Sequence, residues 1–80
     1  MAVTILFLGP LQDAAGQASC EVVAPLDWTG LLESVGPAVA AQLQDDRVNV
    51  ACAGLVLADK QALRAEDGDE VALLPPVSGG

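Results

Sequence analysis

Hydrophobic and polar residues in the first part of the chain form short apolar runs separated by turn-forming segments. Residues 3–8 form an apolar run with β-branched members that ends at a Gly-Pro pair, a pattern typical of a buried strand. Residues 11–16 are short and turn-like, and residues 19–24 form a second strand-like segment that stops before Pro25. The short connection predicts that these two strands pair antiparallel.

The next segment has the spacing of an amphipathic helix followed by a second, shorter helix. Asp27 is a suitable N-cap because its short carboxylate stands directly before the helical pattern. Gly36 stands where a C-cap glycine belongs, and Pro37 can open a second helix over residues 37–44. The side chains expected to face the core are Trp28, Leu31, Leu32 and Val35 in the first helix and Val39, Ala40 and Leu43 in the second.

The last third of the chain predicts three short strands separated by turns. They cover residues 48–53, 55–57 and 71–74, with tight turns at Ala53-Gly54 and Asp67-Gly68. Residues 59–64 are polar, with Leu63 as the single large apolar anchor. The complete order, β-β-α-(α)-β-β-β, predicts an α+β fold. A β-grasp (ubiquitin-like) roll fits it: a mixed sheet, one main helix packed on one face, and the last strand beside the first near the middle.

Alternation along the first and last strands predicts apolar side chains on both faces of the sheet. The set expected to face the helix is Val3, Ile5, Phe7, Val71 and Leu73. The opposite set is Leu6, Leu8 and Leu74, which Leu55 or Leu57 could join. Because one helix covers only one face, the second set predicts an exposed aliphatic patch, a feature that often marks a protein interface. The alternative is that the second short helix or a loop covers the patch.

The charge balance and the missing histidine exclude several classes of partner and of catalytic site. Three Lys and Arg residues stand against 11 Asp and Glu, which gives a net charge of -8, and the chain has no histidine. A phosphate backbone or an anionic membrane surface would repel such a domain, so neither nucleic acid nor a membrane is an expected partner. Histidine-based catalysis and histidine-ligated metal sites are excluded. With 80 residues, 52% of them hydrophobic, we expect one small domain with little volume for a deep pocket.

No run of residues has the features of a targeting or membrane-spanning segment. The N-terminal apolar run lacks a basic n-region and is far too short to span a bilayer. Cys20 and Cys52 could in principle pair, but two reduced, mostly buried thiols are the default in a soluble cytosolic chain. Two distant cysteines are too few for a metal site. We therefore expect a cytoplasmic protein without a metal.

The sequence ends in two glycines that follow a pair of prolines. We expect residues 1–76 to form the domain and residues 77–80 to form a flexible tail, which Pro75-Pro76 extend away from the body. Glycines have no Cβ and can lie in a channel too narrow for other residues, where they would deliver the α-carboxylate of Gly80. That carboxylate becomes reactive once esterified, and a partner must supply the chemistry. The alternative is an ordinary frayed end.

The C-terminal sequence resembles that of a known family. Residues 67–80, which read DGDEVALLPPVSGG, are similar to the end of the small subunit of molybdopterin synthase, a ubiquitin-like sulfur carrier. The opening residues 3–8, followed by Gly16, also resemble the first strand and loop of that family. The family commonly has an asparagine near the position of Cys52 and aromatic residues where Leu8 and Leu74 stand, so this chain departs from it there.

That resemblance implies a specific role for the tail. An E1-like, ATP-dependent enzyme would adenylate Gly80, and a sulfur donor protein would help convert it to a thiocarboxylate. The tail would then insert into the large subunit of molybdopterin synthase and donate sulfur to cyclic pyranopterin monophosphate. The family implies a non-catalytic subunit that binds no cofactor and assembles as a heterotetramer of two small and two large subunits. The residues expected to contact partners are Leu6, Leu8, Leu55, Leu74, Pro75, Pro76, Val77, Ser78 and Gly79.

Three other functions remain open at this point. Another sulfur carrier of the same fold, such as that of the thiamine pathway, also ends in Gly-Gly. A ubiquitin-like modifier would be joined to lysines and would give conjugates that resist denaturing gels. A plain interaction module with an inert tail would tolerate the loss of Gly80.

Overall fold

The structure is a computed structural model that describes residues 2–76, so the predictions for Val77, Ser78, Gly79 and Gly80 lie outside the described residues. The strands in this part of the chain are β1 (Ala2–Phe7), β2 (Ser19–Val23), β3 (Leu26–Asp27), β4 (Asn49–Cys52), β5 (Leu55–Val56), β6 (Arg64–Ala65) and β7 (Glu70–Leu74). The helices are α1 (Pro10–Ala15), α2 (Trp28–Val35), α3 (Pro37–Leu43) and a 3₁₀ helix (Lys60–Ala62).

A five-stranded mixed sheet in the order β2-β1-β7-β4-β5 forms the framework of the domain. β1 and β7 run parallel, with Ile5 opposite Val71 and Phe7 opposite Leu73. The other pairs in this sheet are antiparallel. The last strand therefore lies beside the first in the middle of the sheet, which confirms the α+β, β-grasp fold that the sequence predicted.

The core lies between one face of this sheet and the helices. Burial alternates along β1 and β7, so every second residue of these strands is buried. The side chains predicted to face the helices are each at most 2% exposed: Val3, Ile5, Phe7, Val71 and Leu73. Phe7 is the one aromatic residue among the buried residues of the described chain, so the core is almost entirely aliphatic.

Residues 11–16, predicted as a turn, instead form most of helix α1. Pro10 occupies the first turn of this helix, where an N–H would have no intrahelical partner, and Leu11 is completely buried. Gly16 ends the helix in the left-handed conformation with φ of 75°, and its N–H donates to the Gln12 carbonyl at 2.9 Å. The turn prediction was therefore wrong. The sequence pattern missed this helix because six residues are too few to show a repeating apolar stripe.

Helices α2 and α3 complete the helical layer on the same side of the sheet as α1. The Asp27 carboxylate caps α2 as predicted, because it accepts a hydrogen bond from the Gly30 N–H at 2.8 Å. The helical side chains fully buried in the core are Leu31, Val39 and Leu43, and Trp28, Leu32 and Val35 are partly buried against it. The layer thus consists of three short helices rather than one main helix alone.

A second, two-stranded sheet was not predicted. β3 pairs with β6 antiparallel, with Leu26 opposite Ala65 and Asp27 opposite Arg64. Leu26 and Ala65 are buried, and so is Leu63, the apolar anchor that the sequence singled out. Each strand has only two residues, which is too few for alternation to reveal it.

Replacing Leu73 by alanine is expected to lower the free energy of unfolding by about 3 kcal/mol, because the change empties a fully buried site in the central strand. Leu74→Ala is the matched control, the same truncation one residue later on the half-buried opposite face, with an expected loss of about 1 kcal/mol. Denaturant unfolding of both variants measures the difference. Equal losses would contradict the assignment of the two faces of β7.

Candidate functional site

The sheet face opposite the helices carries a row of small and aliphatic side chains. Paired residues of neighbouring strands point to the same face, so the register defines the members of the row. Leu6 of β1 stands between Ser19 of β2 and Ala72 of β7. Ala72 also stands opposite Ala51 of β4, on its other side. Ala51 in turn stands opposite Val56 of β5. Val56 is 60% exposed and Leu6 is half-buried. The row is therefore apolar from β1 across to the edge strand β5.

Leu74 extends this apolar row toward the end of β7. It stands opposite Asn49 and is half-buried, on the same face as Ala72. We call Leu6, Ala51, Val56, Ala72 and Leu74 the uncovered face, because the described helices pack on the other side; Ala51 within it is only 9% exposed. The alternative that the second short helix covers this surface is wrong, because α3 packs into the core on the other side.

Leu8 follows the last residue of β1 and is 40% exposed. Because it lies beyond the paired residues, the strand register does not assign it to a face. The placement of Leu6 and Leu74 on the uncovered face is confirmed. A role of Leu6, Leu8 and Leu74 in partner binding stays a prediction.

Leu55 and Leu57 do not join the uncovered face, which corrects the sequence prediction. Leu55 stands opposite Cys52, which stands opposite Val71, so Leu55 points to the helix side of the edge strand. Leu57 packs partly against the core. Val56 takes the place predicted for them. The signal was present in the two-residue turn at Ala53-Gly54, since counting outward from that turn pairs residues 52 with 55 and 51 with 56.

The base of the tail lies against the turn between β1 and α1. Parallel strands leave the sheet at the same end, so the residues after β1 and β7 are neighbours. Gly9 has φ of 56°, and a Cβ built on it would lie 3.2 Å from Cγ of Pro75. Pro75 is half-buried and Pro76 is exposed. The sequence analysis used Gly9 only as the end of the first strand, but in the structure its missing Cβ lets the turn lie close to Pro75, where the tail begins.

Carboxylates gather at the end of the sheet that is farthest from the tail. Glu21 and Glu70 both stand opposite Thr4 in the register, so they flank it on the same face as Leu6. The turn that precedes β7 binds the start of β1, because the Thr4 N–H donates to the Asp69 carbonyl at 3.1 Å. The carboxylates at this end are Glu21, Glu66, Asp67, Asp69 and Glu70. This sheet surface is thus acidic at one end and apolar at the end where the tail leaves.

The two cysteines lie far apart, and both are free thiols with raised pKa values. Cys20 stands opposite Ile5 and Cys52 opposite Val71, so two strands lie between them at about 14 Å, too far for a disulfide. Burial raises the pKa of the Cys20 thiol. Burial and the nearby Asp69 carboxylate raise the pKa of the Cys52 thiol. Neither thiol has the lowered pKa of a reactive nucleophile.

Two kinds of feature are absent from residues 2–76. No group of acidic, cysteine or histidine side chains in this range could hold a metal ion. No helix in the same range combines the length and the apolar character needed to cross a bilayer.

The fold, with the tail leaving from the central strand, defines a β-grasp protein of the ubiquitin-like class. The family model described as the ThiS family matches residues 5–80, nearly the whole chain. The chain belongs to the ThiS family of ubiquitin-like sulfur carriers. No curated protein matches it.

Solved structures of similar proteins come from archaea and bacteria. The solution structure of the HVO 2177 protein from Haloferax volcanii has 28% identity and a TM-score of 0.76, and the match covers all of this chain and 87% of that one. The crystal structure of SAMP1 from the same organism has 27% identity and a TM-score of 0.75 over all of both chains. A chain in the protein-protein complex of subunits 1 and 2 of the molybdopterin-converting factor from Helicobacter pylori has 24% identity and a TM-score of 0.66 over all of both chains.

Gly9→Ala is expected to destabilise the domain by about 2–3 kcal/mol, because it combines a strained positive φ with a Cβ pressed against Pro75. Gly16→Ala gives a comparison without a steric contact: Gly16 lies in the αL region with φ of 75° and ψ of 14°, and nothing lies within 4 Å of the added Cβ, so we expect a loss of about 1 kcal/mol. Gly9, with φ of 56° and ψ of -134°, adds backbone strain of its own, so the Pro75 contribution is measured by the double variant with Pro75→Ala.

Denaturant unfolding measures both losses. Adding Pro75→Ala to Gly9→Ala should recover part of the difference, because it removes the atom that the new Cβ meets. Equal losses in the two single variants, with no recovery in the double variant, would show that the contact with Pro75 does not matter.

Proposed function

We propose that this protein is the sulfur-carrying small subunit of molybdopterin synthase. The observation that carries the proposal is the sequence of residues 67–80, which continues from the turn and central strand of a β-grasp sheet into Pro-Pro-Val-Ser-Gly-Gly. In this proposal the Gly80 carboxylate is adenylated, becomes a thiocarboxylate, and donates its sulfur to cyclic pyranopterin monophosphate. ThiS-family membership supports the carrier chemistry.

The proposed chemistry starts from a carboxylate that is unreactive by itself. A carboxylate oxygen of Gly80 attacks the α-phosphate of ATP, pyrophosphate leaves, and an acyl adenylate results. A persulfide sulfur from a donor protein then attacks the carbonyl carbon, and AMP leaves with the bonding electrons. A thiol cleaves the resulting acyl disulfide and leaves the thiocarboxylate on Gly80.

The side chains of this protein include few groups suited to catalyse the proposed steps. The sequence has no histidine, and neither cysteine thiol has a lowered pKa. Arg47 forms a salt bridge with Asp45 at 2.9 Å, so its charge is already paired within the domain. An E1-like activating enzyme and the large synthase subunit would therefore supply the catalytic groups.

The uncovered face offers these partners a surface next to the tail. The Helicobacter chain of the same fold was solved in a complex of subunits 1 and 2, and we propose an equivalent large-subunit partner for this protein. The apolar part would be buried against that partner, while Glu21 and Glu70 would face basic residues and favour fast association. Because the activating enzyme and the synthase both need the tail, they would bind in turn.

A second candidate function is that of a protein modifier. SAMP1 from Haloferax, whose relative in another archaeon is named a small archaeal modifier protein, is 27% identical over the whole chain. A modifier uses the same activated Gly80 but transfers it to an amine instead of accepting sulfur. The resemblance of Pro75-Pro76-Val77-Ser78 to the synthase family favours the synthase subunit over a carrier of the thiamine pathway, whereas protein conjugates would distinguish the modifier.

Incubation with an E1-like activating enzyme, ATP, a persulfide donor and a thiol that cleaves the acyl disulfide is expected to raise the intact mass by about 16 Da, the difference between sulfur and oxygen. The change should map to Gly80, since the reaction replaces one oxygen of its carboxylate. Intact-mass spectrometry measures it. A protein whose mass stays constant with an enzyme that activates other carriers would refute the carrier function.

Two variants serve as controls for the mass experiment. A chain without Gly80 and a chain with one added residue after Gly80 should both fold normally yet support no molybdopterin formation with the large subunit. Full activity of either variant would contradict a role for the Gly80 carboxylate. Conjugates that persist on denaturing gels, with no mass gain on the free chain, would favour the modifier.

Val56→Glu is expected to weaken binding of the large subunit from the same organism by about tenfold or more, because it buries a charge in an apolar contact. Leu55→Glu is the matched control, since Leu55 is adjacent and similarly exposed at 72% but points to the other side of the sheet. Isothermal titration calorimetry compares the two dissociation constants. Equal weakening would mean that the uncovered face is not the docking surface.

A further inference from the structure

Lys60 is the single lysine in the 80-residue sequence, and the fold holds its ammonium group in place. Nζ donates to the backbone carbonyl of Asp45 at 2.6 Å and to that of Val48 at 2.8 Å. The ring centroid of Trp28 lies 6.0 Å from the same nitrogen, within reach of a cation–π attraction. An ammonium group has three N–H donors, so two of them are committed to the backbone.

The two carbonyls that hold Lys60 belong to one well-ordered turn between α3 and β4. The Val48 N–H donates to the Asp45 carbonyl at 3.0 Å, which closes the turn. The Asp45 carboxylate accepts from the backbone N–H of Arg47 at 2.8 Å and from Nη2 of Arg47 at 2.9 Å. These bonds lower the pKa of Asp45 to about 2, so this carboxylate keeps its charge well into the acid range. Lys60 therefore binds two carbonyls of a turn that has hydrogen bonds of its own.

Acyl transfer to Lys60 requires that its amine first leave the carbonyls of Asp45 and Val48. The ammonium group must lose a proton, and the nitrogen lone pair then attacks the carbonyl carbon of the activated chain. A C–N bond forms, the C–O bond to AMP breaks, AMP takes the bonding electrons, and the nitrogen releases a second proton to water. For Lys60 this sequence breaks two charge-assisted hydrogen bonds before any bond forms.

We propose that the domain withdraws Lys60 from acyl transfer, so that an activated copy of this chain cannot be joined to a second copy through a side-chain amine. The inference rests on the proposed function, in which the Gly80 carboxylate becomes an acyl adenylate. The other two cationic side chains, Arg47 and Arg64, carry guanidinium groups, which are not acyl acceptors. The activated carboxylate is thereby reserved for the sulfur nucleophile of a partner, even where copies of the carrier are concentrated around one enzyme.

The test compares two lysines within one molecule. Gln61→Lys adds a second lysine beside Lys60, in the same 3₁₀ helix and at an exposed position. The purified variant is treated with a limiting amount of the acetyl ester of N-hydroxysulfosuccinimide at mildly alkaline pH. Peptide mass spectrometry then follows acetylation at each position over time, once in buffer and once in concentrated guanidinium chloride.

Lys60 is expected to react about tenfold more slowly than the introduced lysine in buffer, the fold-change that corresponds to one charge-assisted hydrogen bond. The two rates should converge in guanidinium chloride, because unfolding separates Lys60 from the carbonyls of Asp45 and Val48. Equal rates in buffer would overturn the proposal, and so would a difference that persists after unfolding. The reagent replaces the activating enzyme, so failure of the sulfur-carrier function would leave this result unchanged.

Discussion

The parallel pairing of β1 with β7 is the interaction on which the rest of the structure depends. It joins the first and the last described strands, which are separated by almost the whole chain, and places both in the middle of the sheet. Bringing them together closes a long loop, and burial of the aliphatic core on one face offsets that entropy. Because parallel strands leave the sheet at the same end, the pairing also sets Gly9 beneath Pro75 and determines where the tail begins.

The helical layer gives the two faces of this sheet different roles. All three helices contribute to one core, and the opposite face keeps Ala51 and Ala72 at its centre with larger aliphatic residues around them. Small central side chains allow another protein to approach the sheet closely. The acidic residues at the far end of the same face repel a second copy of equal charge while attracting a basic surface. The surface opposite the core is thus apolar near the end of β7 and acidic at the far end.

Charge is also divided between structural and surface roles. Two of the three cationic side chains, Arg47 and Lys60, bind the turn between α3 and β4, where Asp45 and backbone carbonyls accept their hydrogen bonds. Most carboxylates remain exposed at the surface. The single lysine of the chain is thus bound within the fold rather than fully exposed. The reactive group of the protein in the proposed function is the carboxylate of Gly80, and the groups that act on it belong to other proteins.

The sequence by itself determined the strands and helices with clear periodicity or punctuation, namely β1, β2, α2, α3, β4, β5 and β7, and their order was enough to predict the β-grasp fold. It also singled out the terminal Gly-Gly, which lies outside the described residues. Whereas the turn at Ala53-Gly54 already carried the signal that Val56 rather than Leu55 joins the uncovered face, only the tertiary structure decided that α1 is a helix and that β3 pairs with β6. These segments are too short to show a period, and their conformation depends on strands that are distant in sequence. A shift of one residue in strand pairing moves a side chain to the opposite face, so the hydrogen-bond register decides which residues a partner can meet.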